Sequence, residues 1–447
     1  MSVVSHPLRT RDRLAALSVA GALVFAACGG SDGAAGVDDA GASGDSEQTD
    51  TSGNDADIGF GETTDRVADD VSASEGGAVS PDPATLPDAA GFSGDRSPQV
   101  LSSTSSWETD WDRRIVGLDE LLVGIPTADP RDVIRPIDAP VYEPIAEADW
   151  LGDREPGALV RFEGETRFYP LSIMTRHEVV NDWFGETPIV VTYCPLCNTA
   201  VSFDRRVDGD VLRFGVSGLL RNSDLVMWDD ATTSLWQQIT GEGIVGDFAG
   251  TELEVIPTSI VSYREVLENF PEAESLSRDL GLGVDYGINP YTAYSSSTQP
   301  FLFDGEPDPR FPALSRIVGV TVGETEQGYP FDLLIENPVV NDEIDDVPLV
   351  VFWGGDTADA LDAASIAESQ AIGTAVAFDR RVGDDVLTFT ANGDDTFTDD
   401  GTGSTWTLLG VATDGPLAGE QLETIRHRNE FWFAWSAFFP DATVWSP

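Results

Sequence analysis

From about residue 107 onward the apolar residues recur every second position or gather in short runs, rather than at the 3.6-residue period of helices. ALVRF (158–162), PIVVTY (188–193), AVSFDRR (200–206) and VLRFGVSG (211–218) are of this kind. The pattern predicts strands separated by Gly-Asp and Asp-Gly turns, with VDGD (207–210) closing a hairpin. Helical pattern is confined to short pieces. One follows Pro170, where proline suits a helix start. The others are SIVSYREVLENF (259–270) and NEFWFAWSAFF (429–439), each ending before a proline. The expected fold class is therefore mainly β with a few short helices (α+β).

The pattern also occurs twice. TAVSFDRRVDGDVLRFGVSG (199–218) aligns with TAVAFDRRVGDDVLTFTANG (374–393). Upstream, 169–193 aligns with 329–353, and downstream GDFAGTELEVI (246–256) aligns with GPLAGEQLETI (415–425). The expectation is an internal duplication: two homologous β-rich domains, packed as a pseudo-dimer. The copies differ in their chemistry. His177, Glu178, Cys194 and Cys197 of the first have no equivalents in the second, where Asn337 and Pro338 replace the first pair. The first copy also holds about five extra residues between Gly218 and Trp236.

The start of the chain reads differently. Arg9, Arg11 and Arg13 precede an apolar stretch, Leu14 to Ala27, that is too short to span a bilayer and ends in small residues before Cys28. This reads as a lipoprotein-type signal over 1–27, with Phe25 where such signals usually have Leu, and with Cys28 as the lipidated residue. An acidic Gly/Ser/Ala/Asp stretch follows; between Gly29 and Val100 it carries 16 acids against two arginines. It has too few large apolar residues to offset its chain entropy, so 28–104 is expected to be a disordered tether. The remaining expectations are a first repeat domain over 105–284, a Tyr/Pro-rich connector over 285–315, and a second, degenerate repeat domain over 316–447. Such a protein sits outside the cytoplasm, held to the outer face of the cell membrane by a lipid on Cys28.

Charge narrows the chemistry. The net charge is −53 and every basic residue is arginine. Without lysine, Schiff-base and P-loop lysine chemistry are excluded. So strong an anionic field also argues against nucleic acid as a partner. No nucleotide-binding signature is present, and Asn198 stands where a c-type haem motif would need histidine.

Three readings of CPLC (194–197) follow. Two thiolates two residues apart can grip a tetrahedral ion, with His177 as the nearest soft partner and zinc or copper as the ion. His427, Glu178 and Asp182 are possible additional ligands. A thiol-disulfide oxidoreductase would use Cys194 to attack and Cys197 to resolve, but it expects a helix after the motif, and the sequence there alternates like a strand. A non-catalytic ligand-binding module would hold the pair as a structural disulfide. Beside the cysteines, Asn181, Arg221, Asn222, Ser223, Asp224, Trp236 and Gln237 are read as lining a polar pocket for an unidentified small molecule, with Arg221 offering a planar donor fork. DYGINPYTAY (285–294) brings three tyrosines that either wall a pocket or strap the two domains together.

HEVVND (177–182), TYCPLCNTAVSFDR (192–205), RNSDLVMWDDATTSLWQQITGEGI (221–244), YGINPYTAY and FWFAW (431–435) together resemble the DUF3179 family of extracytoplasmic bacterial and archaeal proteins. The resemblance implies no particular reaction, and whether the chain is an enzyme stays open at this point.

Overall fold

The computed structural model describes residues 76–82, 85–86, 91–92 and 94–447. The signal segment, Cys28 and most of the tether lie outside the described residues. Among the described residues no helix is long and apolar enough to cross a membrane. A short helix, Pro98–Ser103, falls within the stretch read as tether, with Ser97 capping its start.

The protein is mainly β, as the period-two pattern predicts. Strands β1 (Pro156–Phe162) and β2 (Glu165–Pro170) form a hairpin that leads through helix α1 (Leu171–His177) to β3 (Val179–Phe184), β4 (Thr187–Cys194) and β5 (Thr199–Asp204). The β3–β4–β5 sheet is antiparallel throughout, with Val179 opposite Thr192 and Cys194 opposite Thr199. A second hairpin, β6 (Phe214–Arg221) and β7 (Asp224–Asp229), continues into β8 (Leu235–Gln237). The VDGD turn is a hairpin as expected: Val207 pairs with Asp210 across Asp208 and Gly209, both at positive φ.

Two helix expectations are corrected. In SIVSYREVLENF the first part is strand β9 (Thr258–Ser262), which adds to β1, and only Tyr263–Asn269 (α2) is helical. Ser262 sets the boundary by capping the Glu265 amide while Glu265 reaches back, a capping box.

From Arg316 the same order of elements recurs. Strands β10 (Arg316–Val322) and β11 (Thr325–Pro330) are followed by a one-turn helix and the sheet β12 (Val339–Ile344), β13 (Val347–Gly354) and β14 (Thr374–Asp379). The second correction lies at the end of the chain: NEFWFAWSAFF divides into β15 (His427–Phe431), which pairs with β10, and α3 (Trp432–Phe438). Several polar anchors recur as well. Asn181 clamps both backbone groups of Phe214, and Asn341 does the same for Phe389. Trp236 donates to Asp229, and Trp406 to Asp399.

The two largest apolar clusters cross residue 316. One cluster joins Tyr193, Cys194, Cys197 and Phe214 of the first half to Phe431, Phe433 and Leu361. Another joins Leu159, Phe168 and Val261 to Phe352, Phe378 and Trp406. Burying these side chains, at roughly 25 cal/mol per Å² of apolar surface, is the main driving force for the fold.

Candidate metal centre

Strand β4 delivers Cys194 as its last residue, and the turn Pro195–Asn198 returns the chain into β5, with Asn198 at φ 55. Cys197 is thereby folded back toward Cys194. Both thiols are free and buried. The third member comes from the β6–β7 hairpin. Arg221 and Asp224 pair across a two-residue turn in which Asn222 (φ 50) and Ser223 (φ 65) are both left-handed. The extra residues between Gly218 and Trp236 lengthen this hairpin: β6 and β7 have eight and six residues, whereas the strands Phe389–Ala391 and Thr396–Asp399 of the later hairpin have three and four. Its tip therefore reaches the cysteines. One ligand atom from each of Cys194, Cys197 and Asp224 lies within 4.8 Å of the other two.

Asp224 is held by one oxygen only. Oδ2 accepts from Gln237 Nε2 at 2.6 Å and from the Ile239 amide at 3.1 Å. Oδ1 is buried without a sound hydrogen bond, and the neighbouring thiols act on the carboxyl. A fourth acid, Glu178, is close enough to interact with both Asp224 and Cys194, and accepts from Tyr291 Oη at 3.1 Å. It follows the last residue of α1 at φ 60, in the left-handed region.

Burial pushes all four groups toward their protonated forms: Glu178 up to about 8, Asp224 up to about 6, and both thiols upward, Cys197 the further. The largest influences on them are burial, polar hydrogen bonds and one another; no arginine is among these. Two thiols and a carboxyl buried this close together would hold their deprotonated forms only with a cation among them.

Several sequence expectations land elsewhere. His177 is not brought to the cysteines. As the last residue of α1 its ring turns away, with Nδ1 2.6 Å from the Arg135 carbonyl oxygen and Nε2 2.8 Å from Tyr286 Oη, so both nitrogens are engaged. His427 lies between Ser259 Oγ and the Ile425 carbonyl, and burial lowers its pKa to about 4. Asp182 accepts from Arg167, Tyr169 and Tyr142. Asn181 is held on the Phe214 backbone, and Arg221 pairs with Glu120. Trp236 packs edge-on against Phe214. Gln237 supports Asp224, while Ser223 donates to the Phe301 carbonyl and presents its own carbonyl 3.9 Å from Cys194 Sγ.

The cavity beside the cysteine turn is apolar, not polar. Its volume is about 80 Å³, and Glu178 is its one charged-type side chain. None of the seven residues read as pocket-lining is among its walls. The connector supplies Pro290, Tyr291, Tyr294 and Phe301 instead.

The DUF3179 family profile, described as a protein of unknown function, matches residues 131–442. The chain belongs to the DUF3179 family. No curated protein and no solved structure matches it. The match begins before β1 and ends beyond α3, so the cysteine turn, the hairpin tip and the connector of this DUF3179 protein all fall inside the family's shared region. Asp224 as a partner of CPLC was not evident in the sequence. The signal available was its place in the stretch between Gly218 and Trp236, which is about five residues longer than that between Gly393 and Trp406.

Proposed function

We propose that this DUF3179 protein is a lipid-anchored extracytoplasmic protein whose first half binds one metal ion through Cys194, Cys197 and Asp224. The observation that carries the reading is the buried meeting of two thiols with the Asp224 carboxyl, whose Oδ1 has no partner other than those thiols. Two sulfurs and one carboxylate oxygen form a borderline set that suits zinc, and a carboxylate suits a divalent ion better than monovalent copper. Three protein ligands leave a position of a tetrahedral ion open, the arrangement of reactive rather than purely structural zinc sites. Gln237 would hold the carboxylate in place. The second half is read as a duplicated scaffold that has lost the ligands, a reading supported by the repeated element order and the repeated Asn–Phe and Asp–Trp anchors.

The oxidoreductase reading is weaker. An attacking thiol needs a lowered pKa and access to solvent, whereas both thiols here are buried and pushed up, and a strand follows them.

Elemental analysis and thiol titration of the full chain, prepared without tag histidines, test the proposal. About one zinc per chain is expected, with thiols that become reactive on chelation. Cys194→Ser should lose the ion, and Gln237→Ala should weaken it by about 10- to 100-fold as an outer-shell change. His177→Ala should retain it. A chain with neither metal nor chelation-dependent thiols would overturn the reading. For the anchor, Cys28→Ser should move the protein from the membrane fraction to the soluble one.

A further inference from the structure

The cavity that ends at Glu178 is walled by four segments distant in sequence: the lead around Gly124–Ile134, Leu196 of the cysteine turn, the β6–β7 hairpin, and the connector. Its walls are braced from outside. Tyr294 Oη donates to the Leu196 carbonyl at 3.0 Å and accepts from the Phe301 amide at 3.3 Å. Ser223 Oγ ties Phe301 to the hairpin tip. Asn289 anchors the start of the connector by donating to the carbonyls of Ala360 and Ala363, at 3.0 and 2.9 Å. A chamber held open this way is preformed, with apolar walls and few polar groups, as small-molecule sites are.

Glu178 supplies a second, independent sign. A non-glycine residue in the left-handed region costs roughly 1–2 kcal/mol, and glycine or asparagine usually takes this position after a helix. The backbone gains nothing from glutamate there, so the residue is explained by its carboxyl, which the fold carries into the cavity against Tyr291.

We propose that this cavity binds a small uncharged molecule with a compact apolar body and one hydrogen-bonding head, the head meeting Glu178 and Tyr291. The walls would strip the hydration from a charged body without replacing it. The cavity volume of about 80 Å³ is roughly half that of a cavity known to take benzene, so the part of the body it takes up is about three to five heavy atoms. The proposal goes beyond the metal reading and stands without the ion, although a bound head would lie on the side of the cavity nearest the cysteines.

The test uses 1-butanol, butanoate and butylammonium as probes of one length and three charges, with calorimetry and ligand-observed NMR on the full chain, as purified and after chelation. Saturable butanol binding near 1 mM is expected, about tenfold tighter than either ion. Ile134→Phe, on the wall of the cavity, should weaken butanol by about tenfold with an unchanged thermal melt, and Glu178→Gln, which keeps shape and hydrogen bonding, should leave it within about threefold. Absence of saturable butanol binding, equal binding of all three probes, preference for butylammonium, or an Ile134→Phe variant that binds as the parent would each overturn the proposal. Zinc content measured on the same samples separates the two readings. Zinc without butanol binding defeats only this one, and butanol binding without zinc defeats only the metal site.

Discussion

Asp224 and Glu178 set the protein's response to pH. Each carboxyl is raised by burial, from 3.8 to about 6 and from 4.5 to about 8 respectively. A carboxyl whose folded pKa lies above its unfolded one contributes stability at low pH and loses it as pH climbs through the folded value. Metal-free protein should therefore melt at progressively lower temperature from about pH 5 to pH 8. Zinc must displace the protons of Asp224 and the thiols, so its affinity rises over the same interval and the loaded protein should show a shallower decline. Glu265 (about 7) and Glu430 (about 8) share the sign, so the difference between chelated and zinc-loaded melting curves reports the site. Superimposable curves across this range would remove the charge argument for a bound cation. The histidine expectation fails at the same scale. HEVVND does adjoin the cysteines, because the Tyr193 amide donates to the Glu178 carbonyl at 2.8 Å, but one position along the chain exchanges a ring facing Arg135 for a carboxyl facing the site. Side-chain direction at a helix end depends on a backbone conformation that residue type does not announce.

At the scale of elements, the strands and their turns were legible because alternation and Asp-Gly turns act locally. The junctions Thr258–Ser262 to Tyr263–Asn269 and His427–Phe431 to Trp432–Phe438 were not, because a strand running directly into a helix buries residues on both sides of the boundary and blurs either period. Ser262 with Glu265 was the readable sign that the helix starts late. The end of α1 makes a sharper case. It closes on Glu178 in the left-handed region, and Met174 accepts from the Glu178 amide at 2.8 Å. Glu178→Gly would relieve about 1 kcal/mol of backbone cost and remove a desolvated carboxyl, against the loss of one hydrogen bond from Tyr291. In zinc-free protein at pH 8 the variant should melt at or above the parent temperature. A fall of more than about 1 kcal/mol in stability, read from denaturant unfolding, would show that Glu178 holds the helix end together rather than serving the cavity.

The whole molecule carries 78 acids against 25 arginines, so even complete pairing leaves most carboxylates without a cation. Arginine is deployed where geometry matters. Arg167 joins Asp182, and Arg428 lies buried against Glu326 and Glu430. Arg206 and Arg381 grip Asp204 and Asp379 at equivalent places in the two halves. The buried pairs of Arg428 are screened little by salt, while the unpaired surface charge is screened strongly: the Debye length falls from about 30 Å at 0.01 M to about 3 Å at 1 M. Self-repulsion of a net −53 opposes the compact state, in which the shared cores hold both halves close, more than it opposes the expanded chain. Added salt should therefore stabilise the fold, raising the melting temperature on the order of 5 °C between 10 mM and 1 M sodium chloride at fixed pH. A chain in which exposed ion pairs outweighed repulsion would do the reverse, and a melting temperature that falls steadily with salt would assign the arginines, not the acids, the larger share of the surface energetics.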